Sequence, residues 1–257
     1  MKAMHIDDVL DRAHVVSLPL AVRFRGITTR EALLIEGPAG WGEFAPFLEY
    51  GPAESAAWLR AGLEAAYEGF PEPVRDSIEV NATIPAVPAS EVPAVVERYP
   101  GCRTFKIKVA EKGHTLADDA ARVRAVRDAV TQRGDIPILR VDANGGWTVD
   151  EAVEAAQMMM PLDYMEQPCA TTEELAQVRG RLMRAGLFVR VAADESIRKV
   201  ADPYRVAELQ AADVAVVKPA PLGGVRRVLE VAQHLRQRHM DITAVSYTHL
   251  TLPTNRE

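Results

Sequence analysis

Five short apolar runs between residues 104 and 219 each stop at a charged residue. They read Thr104-Phe105-Lys106-Ile107-Lys108, Leu139-Arg140-Val141-Asp142-Ala143-Asn144, Tyr164-Met165-Glu166-Gln167-Pro168, Ala192-Ala193-Asp194-Glu195-Ser196 and Val216-Val217-Lys218-Pro219. From Lys108 to Asp142, Glu166, Asp194 and Lys218 the successive steps are 34, 24, 28 and 24 residues. Each step is about one βα unit long. In a parallel barrel the C-terminal ends of all strands meet at one mouth, where barrel enzymes keep their chemistry. This order of amines and acids predicts a single site holding a divalent cation between opposed lysines.

The rest of the chain fits that rhythm. Apolar patterning predicts strands at 78–84, 102–109, 136–142, 162–166, 187–194, 214–218 and 242–245. Helices are predicted near 91–99, 116–132, 149–159, 172–185, 203–210 and 225–238, with Thr148 as an N-cap. Strict alternation argues for a parallel sheet. Near-continuous runs such as Asp213-Val214-Ala215-Val216-Val217 suit strands covered on both faces. An open doubly wound sheet would alternate too. It would concentrate its site at one switch point, however, and no glycine-rich phosphate loop follows the first strand. The barrel is the better reading.

Residues before about 70 lack this alternation. Short apolar runs at 15–24 and 32–36, turn residues Gly26, Gly37, Pro38 and Gly40, and a helix at 53–67 entered by Pro52 predict an α+β unit. Gly69-Phe70-Pro71-Glu72-Pro73 reads as a linker. The expected division is a capping domain at 1–77, a β/α barrel at 78–246 and a remainder at 247–257.

Composition narrows the partners. A formal net charge of −6 argues against nucleic acid and gives no support to a membrane surface. The basic residues at 122–127 and 226–238 read as solvated helix faces. No apolar run approaches the roughly 20 residues that span a bilayer, and residues 1–12 carry no apolar signal core. The expected location is therefore the cytoplasm. Cys102 and Cys169 form neither a disulfide framework nor a zinc pattern, and Cys169 reads as an inert thiol.

Lys106 and Lys108 are two apart on a strand and share a face. Mutual repulsion and burial are each expected to lower their pKa values, toward a general base near neutral pH. Asp142, Glu166 and Asp194 offer oxygen ligands only, so the expected ion is Mg²⁺, with Mn²⁺ as the alternative. Each acid also has a plain structural reading. Asp142 suits a turn, Glu166 a solvated strand end, and Asp194 with Glu195 a loop cap. Lys218 is open to three roles: a second acid/base, a cation facing developing charge, or a Schiff-base amine.

The Lys-x-Lys, Asp-Ala-Asn-Gly, Glu-Gln-Pro, Asp-Glu-Ser and Val-Lys-Pro signatures, in this order over most of 78–224, resemble the muconate-lactonising branch of the enolase superfamily. Phe24-Arg25-Gly26, Thr29-Arg30-Glu31, Trp41-Gly42-Glu43-Phe44, Asn81-Ala82-Thr83-Ile84-Pro85 and Pro221-Leu222-Gly223-Gly224 are similar to its actinobacterial o-succinylbenzoate synthases. The resemblance implies a lyase of menaquinone biosynthesis acting on a small carboxylate. That enzyme dehydrates 2-succinyl-6-hydroxy-2,4-cyclohexadiene-1-carboxylate through an enediolate. It also implies a modified TIM barrel with an N-terminal cap. Lys108 would be the base, Lys218 the opposed cation and Lys106 a tuner of Lys108. Asp142, Glu166 and Asp194 would hold Mg²⁺, supported by Asn144 and Glu195, with Arg140 in the same lumen. Loops near Gly26 and at 47–50 would close over the substrate.

Against the family pattern, the residues after Val245-Ser246 read Tyr-Thr-His-Leu-Thr-Leu-Pro-Thr-Asn-Arg-Glu and offer no further βα unit. This tail resembles translated adapter sequence. The expectation is a C-terminally truncated, incomplete barrel with an exposed edge and weak activity. Rival readings are N-succinylamino-acid racemisation or dipeptide epimerisation on the same site, a Schiff-base aldolase at Lys218, and a non-catalytic scaffold.

Overall fold

A computed structural model describes residues 5–24, 27–198 and 202–245. The expected loop at Gly26, the Arg25-Gly26 part of its motif, Ser246 and the 247–257 tail lie outside the described residues. The first unit runs α1 (Ile6–Leu10), β1 (Ala13–Phe24), β2 (Ile27–Gly37), β3 (Gly40–Phe44) and α2 (Pro52–Leu63), which ends in a π-helical turn, Glu64–Glu68. The three strands form an antiparallel sheet. Helix and sheet close up where side chains are absent: a Cβ on Gly42 would lie 1.9 Å from the Gly62 carbonyl oxygen. The short helix α1 has no counterpart among the expected elements; of its apolar residues Ile6, Val9 and Leu10, only Val9 is buried.

The second unit runs β4 (Asn81–Ile84), α3 (Val92–Val96), β5 (Thr104–Lys108), α4 (Leu116–Gln132), β6 (Ile138–Asp142), α5 (Val149–Met159), β7 (Tyr164–Glu166), α6 (Thr172–Arg184), β8 (Arg190–Ala193), α7 (Asp202–Glu208), β9 (Val214–Val217), a short α8 (Pro219–Leu222), α9 (Val225–Arg236) and β10 (Asp241–Ala244). Strands β4 to β10 lie side by side in sequence order, each parallel to the next. Among the described residues the sheet is open, with β4 and β10 at its edges. This is the incomplete barrel expected from the sequence.

Local chemistry starts the helices at fixed places. Thr115, Thr148 and Thr171 each cap a helix through the hydroxyl while an acid three residues on, Asp118, Glu151 or Glu174, accepts from the threonine N–H at 2.8–2.9 Å. Side-chain alternation then sorts the two sheet faces. Phe105, Ile107, Leu139, Val141, Met165, Val191 and Val217 join the main core against the helices. Tyr164, Ala192, Val214 and Val216 pack together on the concave face. No described helix is long and apolar enough to cross a membrane.

The two units meet where β9 ends. Helix α8, directly after Lys218, packs on α2. Buried Glu64 accepts from the Arg226 backbone N–H at 3.0 Å and from its guanidinium at 3.1 Å.

One reading of the charge pattern fails. Arg122 lies on the buried side of α4, 1% exposed and paired with equally buried Asp119 at 2.6 Å. Counting basic residues along a helix did not separate the core-facing position from the solvated ones.

Candidate active site

Lys106, Lys108, Asp142, Glu166, Asp194 and Lys218 gather on the concave face at the C-terminal strand ends. Cross-strand register explains how. Lys108 lies beside Asp142, Asp142 beside Glu166, Glu166 beside Ala192, and Ala192 beside Val214. Asp194 stands two residues beyond Ala192, and Lys218 four beyond Val214, so the charged positions climb the strands. That stagger is the shear of a tilted barrel sheet.

The amines and acids are paired. Lys106 Nζ lies 2.9 Å from Glu166 Oε1 and 3.1 Å from Asp142 Oδ2. Lys108 Nζ donates to Asp142 Oδ2 and Asn144 Oδ1, both at 2.7 Å. Lys218 pairs with Asp194. Asn144 Nδ2 donates to Glu195 Oε1 at 3.1 Å, and Arg198 donates to the same oxygen at 2.6 Å. The Lys108 side chain is 29% exposed against 17% for Lys106 and 11% for Lys218. It is the amine that a bound molecule reaches most readily.

The expected downward shift of Lys106 is reversed. Burial lowers its pKa, but Glu166 and Asp142 outweigh that and hold the ammonium well above its ordinary value. Asp142, although penalised by burial, is lowered by Lys106 and Lys108. Glu166 is pushed up to about 7, by burial first and by Asp142, with Asp194 adding and Lys106 opposing. Its Oε2 is buried without a hydrogen-bond partner.

That orphaned oxygen tests whether a cation belongs here. An all-oxygen donor set with one buried carboxylate oxygen left unpaired suits a hard divalent ion. Among the described residues, however, no three acidic, His or Cys side chains are yet gathered closely enough to hold a metal. The two observations concern different things. The donor chemistry fits, while the side chains are held by amines: Asp142 and Glu166 share Lys106, and Asp194 is drawn to Lys218.

Asp142 also makes the turn foreseen for it, accepting from the Asn144 N–H at 3.1 Å. Arg140 shares the concave face but turns from the mouth. It bonds Asp163 at 2.9 Å and Asn81 at 3.0 Å, over the Tyr164 ring. Residues 47–50 pack in the first unit, with Phe47 edge-on to Trp58. Cys169 is buried, and burial pushes its thiol up to about 12, as an inert cysteine requires. A cavity of about 270 Å³ lies elsewhere, lined by Leu182, Phe188 and Arg190 at the N-terminal ends of β8 and β9.

Gln167 carried no predicted role. Fully buried, its amide accepts from the Asp194 and Ser196 N–H groups and donates to Cys169 and Ser196. It thereby fastens the Asp194 loop to the Glu166 strand. Ala110, Asn144 and Gln167 have φ of +59°, +46° and +38° and follow the strands bearing Lys108, Asp142 and Glu166. Left-handed backbone at non-glycine residues is strained and clusters at functional sites. The Glu-Gln-Pro motif marked the position of Gln167, but its partners are set by the fold.

The chain is similar to known proteins along most of its length. Residues 15–66 match the family model "Enolase N-terminal domain-like" and residues 89–254 match "Enolase C-terminal domain-like". The chain is 58% identical over 233 residues to o-succinylbenzoate synthase of Mycolicibacterium smegmatis, covering 90% of this chain and 69% of that one. It is 56% identical to the o-succinylbenzoate synthase of Mycobacterium marinum, covering 90% and 68%. Among solved structures it resembles the L-Ala-D/L-Glu epimerase of Bacillus subtilis, with a TM-score of 0.72, 22% identity and coverage of 91% and 80%. It also resembles the muconate lactonizing enzyme of Pseudomonas putida, with a TM-score of 0.67, 24% identity and coverage of 91% and 78%. At such identities the structures speak for the fold alone.

Proposed function

Since the chain belongs to the enolase superfamily, and within it to the o-succinylbenzoate synthase family, we propose that it dehydrates 2-succinyl-6-hydroxy-2,4-cyclohexadiene-1-carboxylate to 2-succinylbenzoate. The observation that carries this reading is the trio Asp142, Glu166 and Asp194 flanked by Lys108 and Lys218 at one end of the sheet.

The proton to be removed lies beside a carboxylate and is poorly acidic. Lys108, the most exposed of the three amines, takes it. Asn144 and Asp142 hold that amine by two 2.7 Å hydrogen bonds, fixing its direction of attack. The ammonium so formed hands the proton to the departing hydroxide at the neighbouring ring carbon. Water leaves and the ring becomes aromatic. Lys218 faces the negative charge that builds meanwhile. Lys106 stays an ammonium and keeps Asp142 and Glu166 together. Asp142, Glu166 and Asp194 would hold Mg²⁺, or Mn²⁺ in its place, which when bound supplies positive charge beside the substrate carboxylate. Glu195, bonded to Asn144, supports that arrangement from outside.

The test is turnover of this substrate by the full chain, with Mg²⁺, with chelator, and with Mg²⁺ restored. Product formed only in the presence of the cation is expected. Absence of 2-succinylbenzoate under all three conditions, or turnover of an N-succinylamino acid instead, would overturn the proposal.

A further inference from the structure

The buried Asp119–Arg122 pair on α4 lies directly behind the strand end that carries Lys108. Every part of the guanidinium is engaged. Nε donates to the Val87 carbonyl at 2.6 Å, and Nη1 to Asp119 Oδ1 at 2.6 Å and the Lys108 carbonyl at 3.0 Å. Nη2 lies 2.6 Å from His114 Nδ1. The second Asp119 oxygen accepts from the Ala110 N–H at 2.9 Å. The pair therefore grips the main chain on both sides of Val109, at the Lys108 carbonyl and the Ala110 amide.

Beyond that grip Ala110 adopts its left-handed φ of +59°. Gly146 presses from the other side, since a Cβ there would stand 2.8 Å from the Ala110 Cβ. A buried ion pair contributes little net stability, because desolvation offsets most of its Coulombic gain. Apolar side chains would fill this helix face as well, as Val123, Val126 and Val130 do along the same helix. The contacts the pair makes are instead specific to one backbone position.

We infer that Asp119 and Arg122 are positioning residues: from behind the sheet they fix the backbone of Lys108 and hence the placement of its amine against Asp142 and Asn144. This rests on the reading of Lys108 as the base. A displacement of about 1 Å at a reacting group costs on the order of 100-fold in rate. Loosening the grip should therefore lower kcat without weakening binding.

The experiment replaces the pair by apolar side chains, Asp119→Leu with Arg122→Met, and separately makes Arg122→Lys, which keeps a cation but loses the planar fork. On the full chain, five quantities are measured: the melting transition, kcat and KM with the cyclohexadiene carboxylate, Kd for 2-succinylbenzoate, and the labelling rate of Lys108 by an amine reagent, read by peptide mass spectrometry. Exposed Lys112 serves as the internal control. The expected result is a folded protein with KM and Kd within about twofold of the parent and kcat lower by roughly 10- to 100-fold. Lys108 labelling should change while Lys112 labelling does not. A folded variant with parental kcat and parental Lys108 labelling overturns the inference. So does loss of folding in both variants, which would make the pair structural. If the parent itself turns nothing over, the functional reading fails, and the labelling comparison still decides the positioning role.

Discussion

Glu166→Gln in metal-free protein is the most informative perturbation of the carboxylate cluster. In the fold its carboxyl is raised from an ordinary 4.5 to about 7, chiefly by burial and by Asp142. A carboxyl raised in this way favours the folded state fully below its unfolded pKa, and that advantage is lost as pH climbs through the folded pKa. A tenfold change in proton affinity is worth about 1.4 kcal/mol, so the full effect is about 3.5 kcal/mol. Between about pH 5.5 and pH 8 the linkage amounts to about 2 kcal/mol of stability lost by the parent. The isosteric amide has no such proton to lose. It keeps an acceptor for Lys106 Nζ, now 2.9 Å from Glu166 Oε1. Stability of the variant relative to the parent should therefore rise by about 2 kcal/mol over that pH range. Denaturant titrations of both proteins in chelator at the two pH values supply the measurement. Parallel pH dependence of the two proteins would refute the account of Glu166 as a buried, under-compensated charge. Mg²⁺ added at the higher pH should stabilise the parent and leave Glu166→Gln nearly unmoved.

Two further outcomes are expected. Lys108→Ala removes the group assigned to proton transfer and should lower kcat by at least about 100-fold, with KM and product Kd little changed; comparable kcat would remove Lys108 from the chemistry. Cys169, fully buried and with its thiol raised to about 12, should resist alkylation in the native protein while partly exposed Cys102 reacts; mass spectrometry of the labelled peptides reads this directly, and prompt labelling of Cys169 would contradict its burial.

Much of the fold was legible because its signals are local. The predicted helix at 116–132 coincides with α4, and 149–159 with α5, since both begin at a threonine–acid capping pair and carry apolar residues at helical spacing. Strands β4 to β9 came out shorter than their apolar runs, as with β8, Arg190–Ala193, inside a predicted 187–194, whereas β1 and β2 run longer than the predicted 15–24 and 32–36. Apolarity marks what is buried, whereas a strand ends where its ladder of hydrogen bonds ends. Helix α1 does carry apolar residues at helical spacing, Ile6, Val9 and Leu10, but it is only five residues long and buries Val9 alone, too short a stretch to be read as a helix.

The candidate site divides in the same way. The sequence by itself determined which residues stand at strand ends and that Lys106 shares a face with Lys108, because side-chain alternation and the βα period are properties of the local backbone. It could not decide what those residues touch. Lys106 meets Glu166 across 60 positions of sequence, and that contact reverses the sign of its pKa shift. Arg122 reads as one more surface cation until the helix docks and buries it behind Lys108. Gln167 ties two loops together only once β7 and β8 lie side by side. Burial and Coulomb energies depend on distances between segments far apart in the chain. Those distances are set by sheet register and by the packing of helices behind it, so the partnerships of the site belong to the tertiary structure alone.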